Sequence, residues 1–223
     1  MEQEMQATTP RVVLFDFDGV LIRGDTFAMF MRDRYVRARW RKGLVLLLSP
    51  WFLLVLPFSW RRVLRSIAHL GLLGLNEARY RDQAKAFAVT LVRQPGHFCR
   101  EGLGALRRHQ AAGDRIVIVT GCEESLVRSV LAELGVANVE ILASRLREGR
   151  FGMRSHWHNV GRRKVELLAQ HGIETWQIAY SDSSQDLPML ALATEPVLVN
   201  ATPKLCKRIE KALGRSVTRA EWR

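Results

Sequence analysis

Five short runs of apolar, largely β-branched residues constrain the fold of this chain more than any other feature. They are RVVLF at 11–15, RIVIV at 115–119, VEIL at 139–142, WQIAY at 176–180 and PVLV at 196–199. Uninterrupted runs of this length are typical of strands buried on both faces of a parallel sheet. Segments of helical spacing lie between them, at 97–112, 123–134 and 161–171, and end at or next to a glycine. We therefore predict an α/β fold, a doubly wound, Rossmann-like parallel sheet with helices on both faces.

Residues 25–93 interrupt this alternation. They are helix-like, and between 32 and 65 they contain nine Lys or Arg residues and one acid, so this stretch carries +8 of the formal net charge of +12. We interpret them as a helical cap inserted after the first strand. The predicted division is an N-terminal tail at 1–9, a catalytic core at 10–24 and 94–223, and the cap at 25–93. Residues 144–160 predict a hairpin built around Gly149 and Gly152.

The composition limits the classes of protein that fit. With 48% hydrophobic and 25% charged residues, the 223-residue chain is typical of one globular domain with an insertion. Its positive charge predicts an anionic partner, which could be nucleic acid, anionic lipid or a phosphorylated substrate. Three widely spaced cysteines favour neither a disulfide framework nor a structural zinc site, and they indicate a reducing cytoplasm. The first ten residues lack a basic start and an apolar segment, so we expect no signal peptide.

Acidic residues follow two of the predicted strands. Asp16 and Asp18 end the first strand, and residues two apart on extended backbone point to the same side. Asp182 and Asp186 follow the fourth run, at the same edge of a parallel sheet, where open α/β folds bind ligands. Carboxylates brought this close repel one another unless a cation lies between them. Magnesium, which prefers oxygen ligands, suits such a site.

Two further positions favour phosphate binding. Thr120 and Gly121 end the second run just before a helix, where a hydroxyl and backbone N–H groups can surround an anion. Lys164 lies in the first turn of a predicted helix and can supply a fixed positive charge. Each position has a plainer interpretation: a simple turn, a solvated lysine, or, for Asp186 before Pro188, a helix N-cap. The carboxylates, the Thr-Gly pair and the lysine occur together in this order, each at the end of a strand or the start of a helix. This combination favours the functional interpretation.

The order DFDGV, TG, a helical lysine and SDSSQD resembles the four motifs of the haloacid dehalogenase superfamily, from about residue 11 to 200. This resemblance implies that Asp16 is a nucleophile that forms an aspartyl-phosphate and that Asp18 is the general acid and base. It also implies that Thr120, Gly121 and Lys164 bind the phosphate.

The same resemblance implies a magnesium cofactor and its ligands. The metal site would be formed by Asp16, Asp18 and Asp182, with Asp186 completing the shell or orienting Lys164. An insertion between the first two motifs is similar to the cap of the phosphoserine-phosphatase-like branch, in which an acidic residue at the position of Asp25 lines the substrate pocket. Many relatives have Gly-Asp in the fourth motif, where this chain has Ser181-Asp182.

A narrower resemblance concerns the cap and the fourth motif together. The string YSDSSQDLPML and a basic cap that holds an apolar block look like the bacterial phosphatidylglycerophosphatase C type. Residues 44–58 contain no charge, but they are too few to span a membrane and include Pro50 and Pro57. One interpretation is an interfacial or re-entrant hairpin at an anionic membrane, with Trp40 and Trp60 in the headgroup zone. The other is the buried core of a helical cap.

These observations leave three functions open. The first is a magnesium-dependent phosphatase of a lipid phosphate such as phosphatidylglycerophosphate, at the cytoplasmic face of the membrane, with Arg61, Arg62 and Arg65 guiding the substrate phosphate. The second is a soluble phosphatase of a small metabolite such as phosphoserine. The third is a basic nucleic-acid-binding protein on a retired enzyme scaffold. The complete set of carboxylates and lysine argues against the third, so we expect no nucleic-acid partner.

Overall fold

A seven-stranded sheet forms the centre of the molecule. The computed structural model describes residues 10–222, so the predicted tail at 1–9 and the expected absence of a signal peptide lie outside the described residues. The spatial order of the strands is β4-β3-β2-β1-β5-β6-β7, and all neighbours are parallel except β3 and β4. The strands are β1 Val12–Phe15, β2 Arg115–Glu123, β3 Glu140–Gly149, β4 Gly152–Trp157, β5 Trp176–Ser181, β6 Ala193–Val199 and β7 Thr218–Ala220. The predicted α/β class is confirmed.

The apolar runs are buried on both faces of this sheet. Strand β1 pairs with β2 and β5, with Val13 opposite Ile116 on one side and Ile178 on the other. Alternate side chains of β1 enter different cores: Phe15 joins one apolar cluster and Leu14 the other, and each is fully buried. Helices cover both clusters: α6 Arg100–Ala111, α7 Glu124–Glu133, α8 Arg162–Gln170, α9 Leu187–Leu192 and α10 Pro203–Leu213. Because β1 is central, its carboxyl end lies in the middle of one edge of the sheet.

The helical insertion between β1 and α6 consists of five helices. They are α1 Thr26–Arg37, α2 Arg39–Leu47, α3 Ser49–Val55, α4 Trp60–Leu72 and α5 Glu77–Val92. The side chains of Asp25, Ser59 and Asn76 cap α1, α4 and α5 by accepting hydrogen bonds from backbone N–H groups. The insertion packs on the core through α5, which lies against α7, and through α4, which lies against β4.

The predicted hairpin is present as β3 and β4, and it supports the insertion. The Gly74 N–H donates to the Phe151 carbonyl at 2.8 Å. Gly152 has a φ of 147°, and a Cβ atom there would lie 2.3 Å from the Leu72 carbonyl oxygen. Only glycine allows the hairpin to approach the end of α4 this closely. The hairpin therefore fixes the helical insertion beside the edge of the sheet that carries Asp16.

Residues 44–58 do not form the buried core of the cap. Pro50 lies in the first turn of α3 and Pro57 in the turn that follows, so the block is divided into α2 and α3. Phe52 is buried, whereas the other large apolar side chains from Leu46 to Leu56 range from 38 to 74% exposed, apart from the partly buried Val55. Among residues 10–222, no helix has the length and apolar character needed to cross a membrane.

Candidate active site

The carboxyl end of β1 places Asp16 at the centre of a buried polar cluster. Its backbone N–H continues the sheet by donating to the Tyr180 carbonyl at 3.0 Å. One carboxylate oxygen accepts from the Phe17 N–H at 2.7 Å, and the other lies 2.9 Å from the ammonium nitrogen of Lys164. Asp16 is 8% exposed. Its side chain is therefore held by fixed partners and opens to solution over a small area.

Lys164 joins two carboxylates. Its Nζ atom lies 2.9 Å from Asp16 and donates to Oδ2 of Asp186 at 2.8 Å, and only 2% of its side chain is exposed. The Ser181 hydroxyl donates to the same Asp186 oxygen at 2.7 Å. The Asp186 side chain does not cap α9, so the plainer interpretation as an N-cap does not hold. Asp186 and Ser181 instead fix the position of the lysine.

The burial of this cluster changes the protonation equilibria of its members. Loss of hydration raises the pKa of Asp16 well above its ordinary value, against the opposing charge of Lys164. Burial and the charge of Asp186 raise the pKa of Asp182. Burial alone would lower the pKa of Lys164, but Asp16 and Asp186 together raise it. The lysine therefore stays charged.

Asp18 has a different partner, Thr26. The hydroxyl and the backbone N–H of Thr26 both donate to Oδ1 of Asp18, at 2.5 and 3.0 Å. Burial raises the pKa of Asp18 to about 6, and these two hydrogen bonds oppose the shift. Thr26 is fully buried at the start of α1. Sequence reasoning missed it; its position just after the predicted acidic residue Asp25 was the available signal.

Asp182 lies against the turn that follows Asp18. Gly19 adopts a φ of 79°, and a Cβ atom there would lie 1.9 Å from a carboxylate oxygen of Asp182. A glycine at this position therefore allows both the turn and the approach of the carboxylate. The structure thus brings Asp182 to Gly19 from the end of β5, as the sheet order predicts.

Thr120 and Gly121 lie within β2, which continues to Glu123 instead of ending at the threonine. The predicted helix opening at Glu123 begins one residue later, with Glu123 as its N-cap. The Cys122 N–H donates to the Thr120 hydroxyl at 3.0 Å, so this N–H group is already engaged within the strand. The hydroxyl can still donate its own hydrogen. Ser144, which the sequence did not indicate, donates to the Gly121 carbonyl at 2.7 Å.

The predicted pocket residues of the cap take several positions. Asp25 caps α1 by accepting from the Ala28 N–H at 2.8 Å. Arg61 and Arg62 are exposed on α4, and the Arg61 guanidinium lies 5.9 Å from the centre of the Trp60 ring. Arg65 and Asp25 are close enough to His158 to affect its pKa, which burial lowers first and then Arg163 and Arg65. Of the three predicted arginines, Arg65 is thus the one whose charge acts on His158.

The carboxylates suit a divalent cation, for which the resemblance implies Asp16, Asp182 and the Asp18 carbonyl as ligands, with Asp186 completing the shell or orienting Lys164. Among the described residues, no three His, Cys, Asp or Glu side chains are grouped to hold a metal ion by themselves. The side chains of Asp18 and Asp186 face Thr26 and Lys164 instead. Lys164 pairs with Asp16 and Asp186, and the charge of Asp186 also acts on Asp182, so this cluster contains more carboxylates than ammonium groups. Magnesium usually binds through one or two carboxylates, water and a substrate phosphate, so Asp16 and Asp182 provide a fitting donor set.

Comparisons with known proteins agree with this geometry. A family model described as haloacid dehalogenase-like hydrolase matches residues 13–191. The chain is 28% identical to Protein CicA of Caulobacter vibrioides over 83% of this chain and 84% of that protein. It is 32% identical to a histidinol-phosphatase of Neisseria meningitidis over 48% of this chain and 52% of that protein. A substrate-bound phosphoserine phosphatase has a similar fold, with a TM-score of 0.58, 16% identity, and coverage of 96% of this chain and 93% of that one.

Proposed function

Because the chain belongs to the haloacid dehalogenase-like hydrolase family, we propose that it hydrolyses phosphomonoesters through a covalent phosphate on Asp16. The observation that carries this proposal is the buried Lys164, which bonds to both Asp16 and Asp186. A lysine fixed beside a carboxylate places a positive charge where the oxygens of a phosphoryl group would lie during attack. The phosphatase names of two similar proteins support the same reaction class.

The residues divide the reaction into two steps. An Asp16 oxygen attacks phosphorus, the ester P–O bond breaks, and Asp18 gives its proton to the leaving alkoxide. Asp18 then takes a proton from water, which attacks the phosphorus of the aspartyl-phosphate and releases phosphate with the Asp16 carboxylate restored. A pKa of about 6 suits Asp18 to both roles near neutral pH. Lys164 and the Thr120 hydroxyl bind phosphoryl oxygens.

The metal requirement belongs to the same proposal. Asp16 and Asp182, with the backbone carbonyl of Asp18, would hold a magnesium ion, and Asp186 would orient Lys164. When bound, magnesium neutralises charge on the phosphoryl oxygens. We expect chelation to abolish turnover and added magnesium to restore it. Calcium should substitute poorly because it prefers larger and looser coordination. Full activity after chelation would contradict this part of the proposal.

The cap, which we place at residues 25–93, supports a lipid substrate. Six exposed side chains of α2, α3 and the start of α4 form what we term the apolar cap face: Leu46, Leu47, Leu53, Leu54, Phe58 and Trp60, at 58 to 88% exposure. Such a concentration of exposed apolar side chains is unusual for a surface that faces only water. Arg61 and Arg62 adjoin it and complement anionic headgroups. We infer peripheral or re-entrant binding at the cytoplasmic face of the membrane.

A lipid phosphate such as phosphatidylglycerophosphate is the substrate class that uses all these features. Its headgroup would be presented near the depth of the cap, so the enzyme need not extract the acyl chains. The second candidate is a soluble metabolite phosphatase, which the names phosphoserine phosphatase and histidinol-phosphatase favour. That candidate gives no reason for the apolar cap face. A nucleic-acid-binding role gives no reason for the buried Lys164 cluster.

Phosphate release from a substrate panel tests these alternatives. Wild type and Asp16→Asn would be assayed on phosphatidylglycerophosphate and lysophosphatidic acid in vesicles, and on soluble phosphoserine and histidinol phosphate. We expect turnover by wild type alone, with kcat/KM highest for a vesicle lipid. A higher kcat/KM for a soluble ester would overturn the lipid assignment and keep the phosphatase. Equal turnover by the two proteins would overturn the nucleophile.

A further inference from the structure

Two arginines meet at the junction of α1, α2 and α4. The Arg34 side chain is buried, and its Nε donates to the Gly71 carbonyl at 2.7 Å. Arg41 is partly exposed, and its Nη2 donates to the Leu73 carbonyl at 3.2 Å. Gly71 allows this arrangement, because a Cβ atom there would lie 1.9 Å from Cε of Met31 on α1. Both guanidinium groups are thus fixed by carbonyls at the end of α4.

Each guanidinium retains a buried donor with no protein acceptor. Nη2 of Arg34 and Nε of Arg41 are buried, and neither has a hydrogen-bond partner. A buried donor without an acceptor is costly, and more so when it is charged. Within residues 10–222 neither arginine forms an ion pair, and the acid nearest in sequence, Asp33, is 2.7 Å from Arg37. The pair therefore keeps two donors without an acceptor, and no carboxylate of the described residues is in direct contact with it.

The charge of Asp33 offsets the mutual repulsion of the two groups only in part. Burial, followed by the charge of Arg41, lowers the pKa of Arg34 to about 10. Burial lowers the pKa of Arg41 as well. The carbonyls at the end of α4 carry only the partial negative charge of a helix terminus. An oxyanion with several acceptor oxygens would satisfy the orphaned donors and the charge together.

The location of this pair indicates which anion reaches it. Arg41 lies 4.6 Å from the centre of the Trp40 ring, and Trp40 is 55% exposed. Helix α2, which carries both, continues into the apolar cap face at Leu46. On α1, Arg34 is eight residues beyond Thr26, so the pair is about 12 Å along the helix from the Asp18 contact. A phosphate here would not be the one attacked by Asp16.

We propose that Arg34 and Arg41 form a second anion site in the cap, which binds the phosphate of a phosphodiester lipid headgroup. The proposal rests on the membrane binding in the proposed function, but not on the hydrolysis. Direct guanidinium contacts would anchor α1 and α2 at the level of the headgroups. They would thereby orient the edge of the sheet that carries Asp16 toward the membrane.

Vesicle binding by three proteins tests this site: wild type, Arg41→Gln, and Arg39→Gln as the matched control, because Arg39 is exposed on the same helix and the control loses the same charge. The vesicles contain phosphatidylcholine with phosphatidylglycerol, a phosphodiester that a phosphomonoesterase does not consume. We expect about a tenfold or greater loss of affinity for Arg41→Gln. For the control we expect no more than about fivefold, the effect of one diffuse charge. Far-UV circular dichroism and the unfolding midpoint verify the fold.

Two further experiments distinguish a lipid phosphate from a carboxylate surface and from free phosphate. Vesicles with the same surface charge supplied by oleate should bind both variants equally, since a carboxylate monolayer offers no phosphate. Thermal stabilisation by inorganic phosphate should be smaller for Arg41→Gln than for Arg39→Gln if the site also accepts free phosphate. A difference confined to phosphatidylglycerol vesicles assigns the site to lipid alone.

Arg34→Lys keeps the charge and removes the orphaned Nη2, and should also weaken phosphatidylglycerol binding. Equal affinities of Arg41→Gln and Arg39→Gln for phosphatidylglycerol vesicles would overturn the proposal. Displacement of the vesicles from wild type and control, but not from Arg41→Gln, by short single-stranded DNA would overturn the lipid assignment. If the wild type shows no phosphatase activity but the two variants still differ in their affinity for phosphatidylglycerol vesicles, only the proposed function is contradicted.

Discussion

Asp16 and Asp18 lie two residues apart, yet the structure gives their carboxylates different partners. Asp16 faces Lys164, and Asp18 faces Thr26. In the mechanism we propose, the first arrangement keeps the attacking oxygen beside a fixed cation. The second holds one oxygen of Asp18 and would leave the other for proton transfer. These contacts would suit the two carboxylates to different roles, although they are only two residues apart.

Substitution of each carboxylate by its amide tests this division. Asp16→Asn should abolish turnover of a soluble phosphomonoester, because an amide cannot form the acyl-phosphate. Asp18→Asn should lower kcat by about 10²–10⁴-fold, the usual effect of a lost acid–base group. Asp82→Asn, on the exposed face of α5, is the control for the charge change. Near-normal kcat in Asp16→Asn would refute the mechanism.

Ser181 accounts for the departure from the Gly-Asp that many relatives have in the fourth motif. Its hydroxyl donates to Asp186 at 2.7 Å and accepts from the Ser183 N–H at 3.1 Å. Ser181→Ala should lower kcat about tenfold with little change in KM, because Lys164 loses part of its support. Ser183→Ala is the matched control, since its hydroxyl accepts only from the exposed Gln185 N–H at 3.2 Å. Equal kcat values for these two variants would contradict the positioning role.

The sequence predicts the site residues that follow directly after strands. It does not predict residues that reach the site through a reversal of the chain or through the packing of one helix on another. Asp16 and Asp182 follow buried apolar runs, so their common edge follows from a parallel sheet. Thr26 reaches Asp18 only because the chain reverses after Gly19 and Gly24, both with positive φ. Arg34 and Arg41 belong to a basic stretch that would be solvated on an isolated helix. Arg34 is buried where α4 packs on α1, and Arg41 is partly buried where α2 packs on α4.

Among the elements, a buried hydrogen bond joins α5 of the cap to the N-cap of α7 in the core. The Tyr80 hydroxyl, on α5, donates to Glu123 at 2.8 Å, and the same Glu123 oxygen accepts from the Leu126 N–H at 3.1 Å. Burial raises the pKa of Glu123 above its ordinary value of 4.5, although these hydrogen bonds oppose the shift. The N-cap of α7 is therefore also the point at which α5 is held.

This raised pKa predicts a pH-dependent stability with a definite sign. The folded protein holds the Glu123 proton more tightly than the unfolded chain, so its contribution is present below pH 4.5 and is lost as the pH rises through the folded pKa. Glu123→Gln cannot ionise and keeps acceptors for Tyr80 and Leu126. The free energy of unfolding of this variant, relative to wild type, should therefore increase from pH 4 toward pH 7.

Chemical denaturation of both proteins across that pH range measures the difference, which isolates Glu123 from the other carboxylates. Glu133→Gln, an exposed change on the same helix, should leave the difference flat. A relative stability of Glu123→Gln that falls with rising pH would contradict the assignment.

Elements were predictable where burial alone determines them. The five apolar runs became β1, β2, β3, β5 and β6. Strand β7 was missed because it has three residues and none is fully buried, so it lacks an apolar run. The sequence does not decide whether residues 44–58 contact a membrane or form the core of the cap, because an apolar segment fits both.

At the scale of the whole molecule, charge and exposed apolar surface occupy the same region. The stretch from 32 to 65 contains most of the net charge and also the apolar cap face. Placing both between β1 and β2 keeps them beside the edge of the sheet that holds Asp16. A membrane bound there would lie close to the cleft, so binding and substrate delivery would be coupled.

Replacing the exposed leucines of the apolar cap face tests this coupling. Leu46, Leu47, Leu53 and Leu54 are each at least 68% exposed, so changing them to serine should leave the unfolding midpoint nearly unchanged. Phe52 is buried and is kept. Transfer of one leucine side chain from water is worth about 1.5–3 kcal/mol, so even partial insertion predicts at least about a hundredfold weaker binding to anionic liposomes. Leu192→Ser, at an exposed leucine of the core, is the matched control.

Co-sedimentation with liposomes at low and high salt measures both contributions to binding. Salt should weaken the binding of the wild type to liposomes, because it screens the charges of the arginines. The apolar contribution to binding should persist. The ratio of vesicle to soluble phosphatase activity should fall in the serine variant and stay constant in Leu192→Ser. Loss of the cooperative unfolding transition in the serine variant would contradict the exposure of these leucines. A folded serine variant that stays fully bound to liposomes would exclude the apolar cap face as the membrane contact. The same conclusion would follow if the wild type were monodisperse without detergent and did not bind liposomes.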